Sequence, residues 1–279
     1  MTKKHLPLRS GQHVVITGGS SGLGLEVAHQ LAPRGVILTL LARDLDKLEA
    51  ARKEIVARMP DADVAVVAVD VADGVALNEA FTRRAARTGG LDVLVNCAGT
   101  VREGYFETLA DDDYRAAMET NFFGTVNAIR AALPSLKECR GRVVNIASVG
   151  GLAGVFGFTP YCASKHALVG FTNSLRFELE PQGVTVQLVC PGEFDSPMVA
   201  ALETTRTPEN RVQTHAIPKI PAKQIAREIV NGIDAGTGDI VPGRWTRFFV
   251  TALRLAPGIS SAMVRRRIAG VYQGPPRGH

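Results

Sequence analysis

The chain has 279 residues, 46% hydrophobic and 21% charged, which suits one large α/β unit and argues against a disordered chain. Its net charge of +5 is uneven: seven arginines and no Asp, Glu or Lys lie from Ile240 onward, so removing them leaves −2 for residues 1–239. Nucleic-acid binders spread a basic patch over the folded domain, so this asymmetry disfavours that class.

Short β-branched runs alternate with helical patterns. HVVIT (13–17) reads as a strand, followed by a helix through Leu31. VILTLLA (36–42) is a second strand, with an amphipathic helix in DLDKLEAARKEIVARM after it. VAVVAVD (64–70) precedes a helix near 75–87, and LDVLVN (91–96) precedes a long helix from about Asp111 to Lys137. GRVVNIAS (141–148), a helix from about Thr159 to Glu180, and VTVQLVC (184–190) complete the series. Strands apolar on both faces, separated by helices, predict an α/β fold: a single Rossmann-type doubly wound parallel sheet with helices on both faces. Ligands on such a sheet gather at the carboxyl ends of the strands.

The residues at those ends carry chemistry. TGGSSGLG (17–24) follows the first strand. Glycine lets the backbone approach a phosphate closely, and the helix that follows offers free N–H groups to a pyrophosphate. Thr17, Gly18, Ser20, Ser21, Gly22 and Leu23 are therefore candidate cofactor ligands. The second strand ends in LLARD (40–44), with Ala42 where an NAD site wants an acid. Arg43 suits a 2′-phosphate, which favours NADP(H) over NAD(H). Asp44 is either the displaced acid or the cap of the next helix. Asp70 and Val71 are placed to hold the adenine edge. Asn96, Ala98 and Gly99, in NCAG, let the chain pass close to the cofactor, with Cys97 read as packing.

Tyr161 and Lys165 lie four apart on one helical face, Ser148 ends the strand before them, and Asn121 sits at a helix-interior position that its type disfavours. Together TGGSSGLG, NCAG, Asn121, Ser148, YCASK (161–165) and PGEFDSPM (191–198) resemble the short-chain dehydrogenase/reductase family, from about His13 to Pro242. The resemblance implies hydride transfer between a nicotinamide and a ketone or secondary alcohol. Tyr161 would be the proton donor or acceptor, with its pKa lowered by Lys165 and the oxidised nicotinamide. Lys165 would also hold the nicotinamide ribose, as would Tyr161 on its cofactor side. Ser148 would bond the reacting oxygen, and Asn121 would hold a water of a proton relay. Pro191, Gly192 and Ser196 would meet the nicotinamide, and Glu193 to Pro221 would cover the substrate. It also implies a homodimer or homotetramer formed through the helices bearing Asn121 and Tyr161.

TLLARDLDKLEAARKEI (39–55), FGFTPYCASKHALVGF (156–171), FDSP (194–197) and ENR (209–211) are similar to one branch, the 3-ketosphinganine (3-ketodihydrosphingosine) reductases. That branch implies a long-chain 3-keto lipid. A 3-ketoacyl thioester, a steroid or a small ketone are the alternatives, as is a catalytically silent NADP(H) sensor.

The expected organisation is one cofactor-binding and catalytic domain, 1–243, and a basic amphipathic extension, 244–279. In the extension Trp245, Phe248, Phe249, Ala252 and Ala256 share a helical face opposite Arg247 and Arg254. Such a helix suits peripheral contact with a membrane interface, or packing on its own domain or a partner subunit. The N-terminus lacks the apolar core of a signal peptide, and no apolar run reaches ~18 residues. Four cysteines without a C-x-x-C pair suit a reducing, cytoplasmic setting and suggest no metal.

Overall fold

The computed structural model describes residues 7–274. The N-terminal residues read for a leader, and Arg277 of the basic tail, lie outside the described residues. Seven parallel strands form one sheet in the order β3-β2-β1-β4-β5-β6-β7. They are β1 (His13–Thr17), β2 (Ile37–Ala42), β3 (Val64–Ala68), β4 (Val93–Asn96), β5 (Arg142–Ile146), β6 (Thr185–Val189) and β7 (Asp239–Ile240). The six strands read from the sequence are all present. The seventh was not anticipated: two residues carry no period, and β7 exists because Leu188 and Val189 pair with Asp239 and Ile240.

The first helices are α1 (Gly22–Leu31), α2 (Leu45–Arg58), α3 (Gly74–Thr88), α4 (Asp111–Met118), α5 (Gly124–Cys139) and α6 (Thr159–Leu179). Later come α7 (Pro197–Glu203), α8 (Pro208–Thr214), α9 (Ala222–Ala235), α10 (Arg244–Leu255) and α11 (Pro257–Ala269). One core joins α1, α2 and α9 to one face of the sheet through Val27, Leu48, Ile229 and the fully buried Leu38 and Leu40. The opposite face packs Leu77 and Phe81 of α3 and Ile129 and Leu136 of α5 against Leu94 and Val143. Each fully buried Leu or Ile contributes roughly 1.5–3 kcal/mol, so both faces are needed.

The sheet order reverses at β1, which pairs in parallel register with β2 on one side and with β4 on the other. That switch point opens the crevice in which the functional residues meet. The single long helix expected from Asp111 to Lys137 is broken by a π turn, Glu119–Phe123, which carries Asn121. A π turn widens the helix by one residue and loosens its ladder, a device found where a helix must present a particular group.

Candidate active site

The crevice holds a cavity of about 440 Å³ that runs from the β1–α1 turn to the segment after β6. Its first wall is the glycine-rich turn. Gly18 has φ 68°, and a Cβ there would stand 2.8 Å from Ala98 N, so a side chain would collide with the β4 end. Thr17 is buried and accepts hydrogen bonds from Cys97 N and Ala98 N at 3.1 and 3.2 Å. It therefore ties the two strand ends together and does not line the cavity. Gly18, Ser20, Ser21, Gly22 and Leu23 do line it. Ser21 caps α1 without a side-chain bond, leaving the first amides of α1 facing the cavity.

At the far end of that wall lie Arg43, Asp70 and Val71, as expected from the sequence. Asp44 accepts from Lys47 N at 3.0 Å and is the N-cap of α2. That hydrogen bond, before any other influence, holds the Asp44 carboxyl below its ordinary value. Arg43 is exposed, 3.9 Å from Asp70, and Lys47 lines the cavity beside it. Lys47 escaped the sequence reading because it looks like any charged residue of a first helical turn. The glycine cradle, the open helix end and this pair of cations fit a nicotinamide dinucleotide.

Of the NCAG residues, Ala98 and Gly99 line the cavity. Asn96 is buried and donates to Asn145 Oδ1 at 2.8 Å across β4 and β5, away from the cavity. Cys97 lines the cavity, but burial pushes its thiol up to about 11, which suits packing rather than redox chemistry.

The catalytic candidates converge from three elements. Ser148, directly after β5, accepts from Gly150 N at 3.0 Å. Tyr161 and Lys165 come from one face of α6, and all three line the cavity. Lys165 Nζ donates to Ile146 O at 2.9 Å and lies 5.8 Å from the Tyr161 ring centre. Asn121 is fully buried: its Oδ1 accepts from Thr100 N at 2.8 Å, and its Nδ2 donates to Thr100 O and Ser164 Oγ. A Cβ on Gly99 would stand 3.2 Å from Asn121 Oδ1 and 3.7 Å from Lys165 Nζ, so both residues flank the same strip of backbone.

One electrostatic expectation left desolvation out. Burial pushes the Tyr161 phenol up to about 12, outweighing the Ser148 hydrogen bond that pulls it down. Burial likewise lowers Lys165 to about 8. The sequence reading weighed the lysine's charge and omitted the desolvation of both groups, which dominates in a closed site.

The segment after β6 forms the last wall. Pro191 O accepts from Val149 N at 3.0 Å, locking the β5 and β6 ends. Pro191, Gly192 and Ser196 line the cavity, and Ser196 caps α7 by accepting from Val199 N. Glu193 to Pro221 folds back on itself, with Phe194 bridged to Ile220. Arg206, whose side chain is 0% exposed, grips both Glu193 oxygens at 3.1 and 2.9 Å. Lys219 bonds Glu193 and Glu203 at 3.1 and 2.8 Å. Arg206 was missed because ion pairing 13 residues apart leaves no local period. Apolar side chains predominate on the cavity surface here, from Phe194, Met198, Leu202, Ile217 and, unexpectedly, Phe249 of α10, beside the polar Gln213 and Thr214.

The comparisons agree with this arrangement. Residues 12–207 match the family model for short chain dehydrogenases. A 3-dehydrosphinganine reductase of Danio rerio is 36% identical over 248 residues, covering 87% of this chain and 73% of its own. A 3-ketodihydrosphingosine reductase of Mus musculus is 38% identical over 230 residues, covering 80% and 69%. Among solved structures, an actinorhodin polyketide ketoreductase crystallised with NADPH has a TM-score of 0.76 at 30% identity, covering 84% of this chain and 97% of its own. With its parallel sheet, its glycine turn and the tyrosine and lysine on α6, the chain belongs to the short-chain dehydrogenase/reductase family, as an NAD(P)-dependent oxidoreductase acting on ketone or alcohol groups.

Proposed function

We propose that the protein is an NADP(H)-dependent ketone reductase whose substrate is a long-chain 3-keto lipid of the 3-ketosphinganine type. The observation that carries the reading is the polarity of the cavity: Arg43 and Lys47 at one end, the Ser148–Tyr161–Lys165 group at the middle, and apolar side chains at the other. Two exposed cations beside a capped, engaged Asp44 favour a 2′-phosphate over a 2′-hydroxyl. The nicotinamide supplies the hydride when bound. Tyr161 donates its proton to the oxygen of the ketone as it becomes an alkoxide, and Ser148 holds that oxygen. Lys165 holds the ribose and backs the phenol. Asn121 braces the backbone at Thr100 beside Lys165, and its main chain lies in the π turn where a relay water would attach.

The reading extends to assembly and location. Phe123 of the π turn before α5 is 44% exposed and Phe177 of α6 is 82% exposed, which suits a homodimer or homotetramer. No helix among the described residues is long and apolar enough to cross a membrane. α10 and α11 expose Trp245, Phe248, Leu255, Ile259 and Met263 among arginines, which suits a cytoplasmic protein meeting an anionic membrane at its surface. A ketone panel with NADPH and with NADH tests the function: long-chain 3-keto amines, 3-ketoacyl thioesters and steroids. Preference for the long-chain 3-keto amine supports it. Preference for a thioester or steroid selects the alternative substrate, and NADPH binding without turnover of any ketone selects a sensor.

A further inference from the structure

The extension is not a free appendage. Gly243, at φ 86°, donates its N–H to Glu228 Oε2 at 3.0 Å, and Arg247 pairs with the same carboxylate at 3.6 Å, so α10 starts against α9. One turn in, Thr246 is fully buried, 3.2 Å from where a Cβ on Gly192 would stand. Gly192 lines the cavity, so α10 rests directly on the backbone of the site. At its other end the extension is held again: Gln273 N donates to the buried Glu209 at 2.8 Å, and the Tyr272 ring meets Phe156 edge-on at 6.5 Å. Between these anchors, Phe249 lies three residues after Thr246 and lines the cavity while its neighbour Phe248 is 68% exposed.

We propose that Phe249 is a specificity-determining residue, the wall supplied by the C-terminal extension against which the apolar chain of the substrate lies. The inference rests on the ketone-reductase reading. Phe249 lines the cavity together with the apolar Phe194, Met198, Leu202 and Ile217. The one carboxylate in that neighbourhood, Glu193, has both oxygens engaged by Arg206 and Lys219. The surface therefore offers contact to methylene groups and no free charge, which selects an uncharged alkyl chain. Thr246 and Gly243 fix the position of the ring, so the selectivity lies in a rigid element.

The test compares short and long unbranched alkyl ketones with NADPH. Phe249→Ala should reduce kcat/KM for the long ketone relative to the short one by at least ~10-fold, the scale set by lost apolar pocket contacts. Phe248→Ala, on the outer face, should leave that ratio and the NADPH affinity unchanged. Phe249→Leu, which keeps most of the apolar volume, guards against a folding defect and should shift the ratio in the same direction by less. Equal losses on both ketones, or an equal effect of Phe248→Ala, would overturn the assignment. Calorimetric binding of a long-chain ketone to the NADP-loaded protein reads the same contact without turnover. An unchanged affinity in Phe249→Ala overturns Phe249's role, whereas binding intact with no reduction in the parent overturns only the reductase reading.

Discussion

Lys165 Nζ donates to the carbonyl of Ile146 at 2.9 Å and sits 5.8 Å from the centre of the Tyr161 ring. The ammonium is thus anchored on the strand end that also carries Ser148, so the two side chains of α6 are registered against β5 and not merely against each other. Burial raises the Tyr161 pKa to about 12. Tyr161→Phe keeps the ring's packing against Phe158, 5.8 Å away, and removes the proton. Turnover should fall by ~10²–10⁴-fold, with NADPH affinity nearly retained. Activity within about twofold of the parent would show that the proton comes from elsewhere, because a lost acid costs far more.

Cofactor choice depends on Arg43, whose side chain is 76% exposed and has Asp70 as a distant partner at 3.9 Å. Removing it costs little in the free protein, so the effect of Arg43→Ala should appear on binding. NADPH should weaken by about 1.5–3 kcal/mol, the range for a hydrogen bond to a charged group, and NADH by much less. Titration of both cofactors checks this. Equal weakening would remove Arg43 from the 2′-phosphate site.

These sites differ in how far the sequence discloses them. Gly18, Tyr161, Lys165 and Ser148 were legible because each sits at a strand end or on one helical face, where spacing and topology coincide. The six longer strands were legible for the same reason. The π turn at Asn121 was not, since an inserted residue leaves the surrounding 3.6 period nearly intact. Nor was β7, which owes its existence to pairing with β6. Arg206 holds the cavity-lining Glu193 from 13 residues away and Phe249 lines the cavity from a separate helix, through contacts that no local pattern encodes. The apolar stripe of α10 was legible as a stripe, but the sequence could not say that Phe249 turns inward and Phe248 outward.

His13 is buried in β1, with Nδ1 2.8 Å from Gly90 O and Nε2 2.8 Å from Thr39 Oγ1. Burial, chiefly, lowers its pKa from 6.5. A base with a lowered folded value stays neutral in the fold and takes up a proton on unfolding. Stability is therefore full above pH 6.5 and declines as pH falls below it toward the lower folded value. Thermal melts between neutral and mildly acidic pH should show this decline, and His13→Gln should flatten it. An unchanged slope in the variant would assign the acid sensitivity to other groups.

Arg206 is buried between Glu193 and Glu203 and holds the segment after β6 closed. Arg206→Met removes the cation but leaves Lys219 on both carboxylates. Breaking a buried pair by removing one partner costs about 3–5 kcal/mol, and the remaining lysine should bring the loss to the lower end. Residues 193–220 should exchange amide hydrogens faster than the sheet does, with KM for ketones rising more than that for NADPH. Exchange rates equal to the parent's would mean that Lys219 and the other contacts of the segment hold it without Arg206.

The outer face of α10 and α11 makes the remaining prediction. Trp245 is 67% exposed and packs edge-on against Phe248 at 6.3 Å, with Leu255 and Ile259 further along. Six of the seven terminal arginines fall among the described residues, and two of them, Arg247 and Arg254, share charge with Glu228 and Asp239 at 3.6 and 3.9 Å. Each basic residue near an anionic surface contributes about 1 kcal/mol, so the remaining four suffice for reversible attachment once Trp245 and Phe248 insert. The protein should sediment with vesicles containing anionic lipid and release as salt rises, because screening shortens the attraction. Deleting the extension is a poor test, since it would also take Thr246 off Gly192 and Phe249 out of the cavity. Outward substitutions separate the roles: Trp245→Ser with Phe248→Ser, or glutamine at Arg265, Arg266 and Arg267, should abolish sedimentation and leave reduction of short soluble ketones at the parent rate. Sedimentation that survives both sets of changes would place membrane contact elsewhere on the molecule, and no binding by the parent at low salt would leave this face to a protein partner.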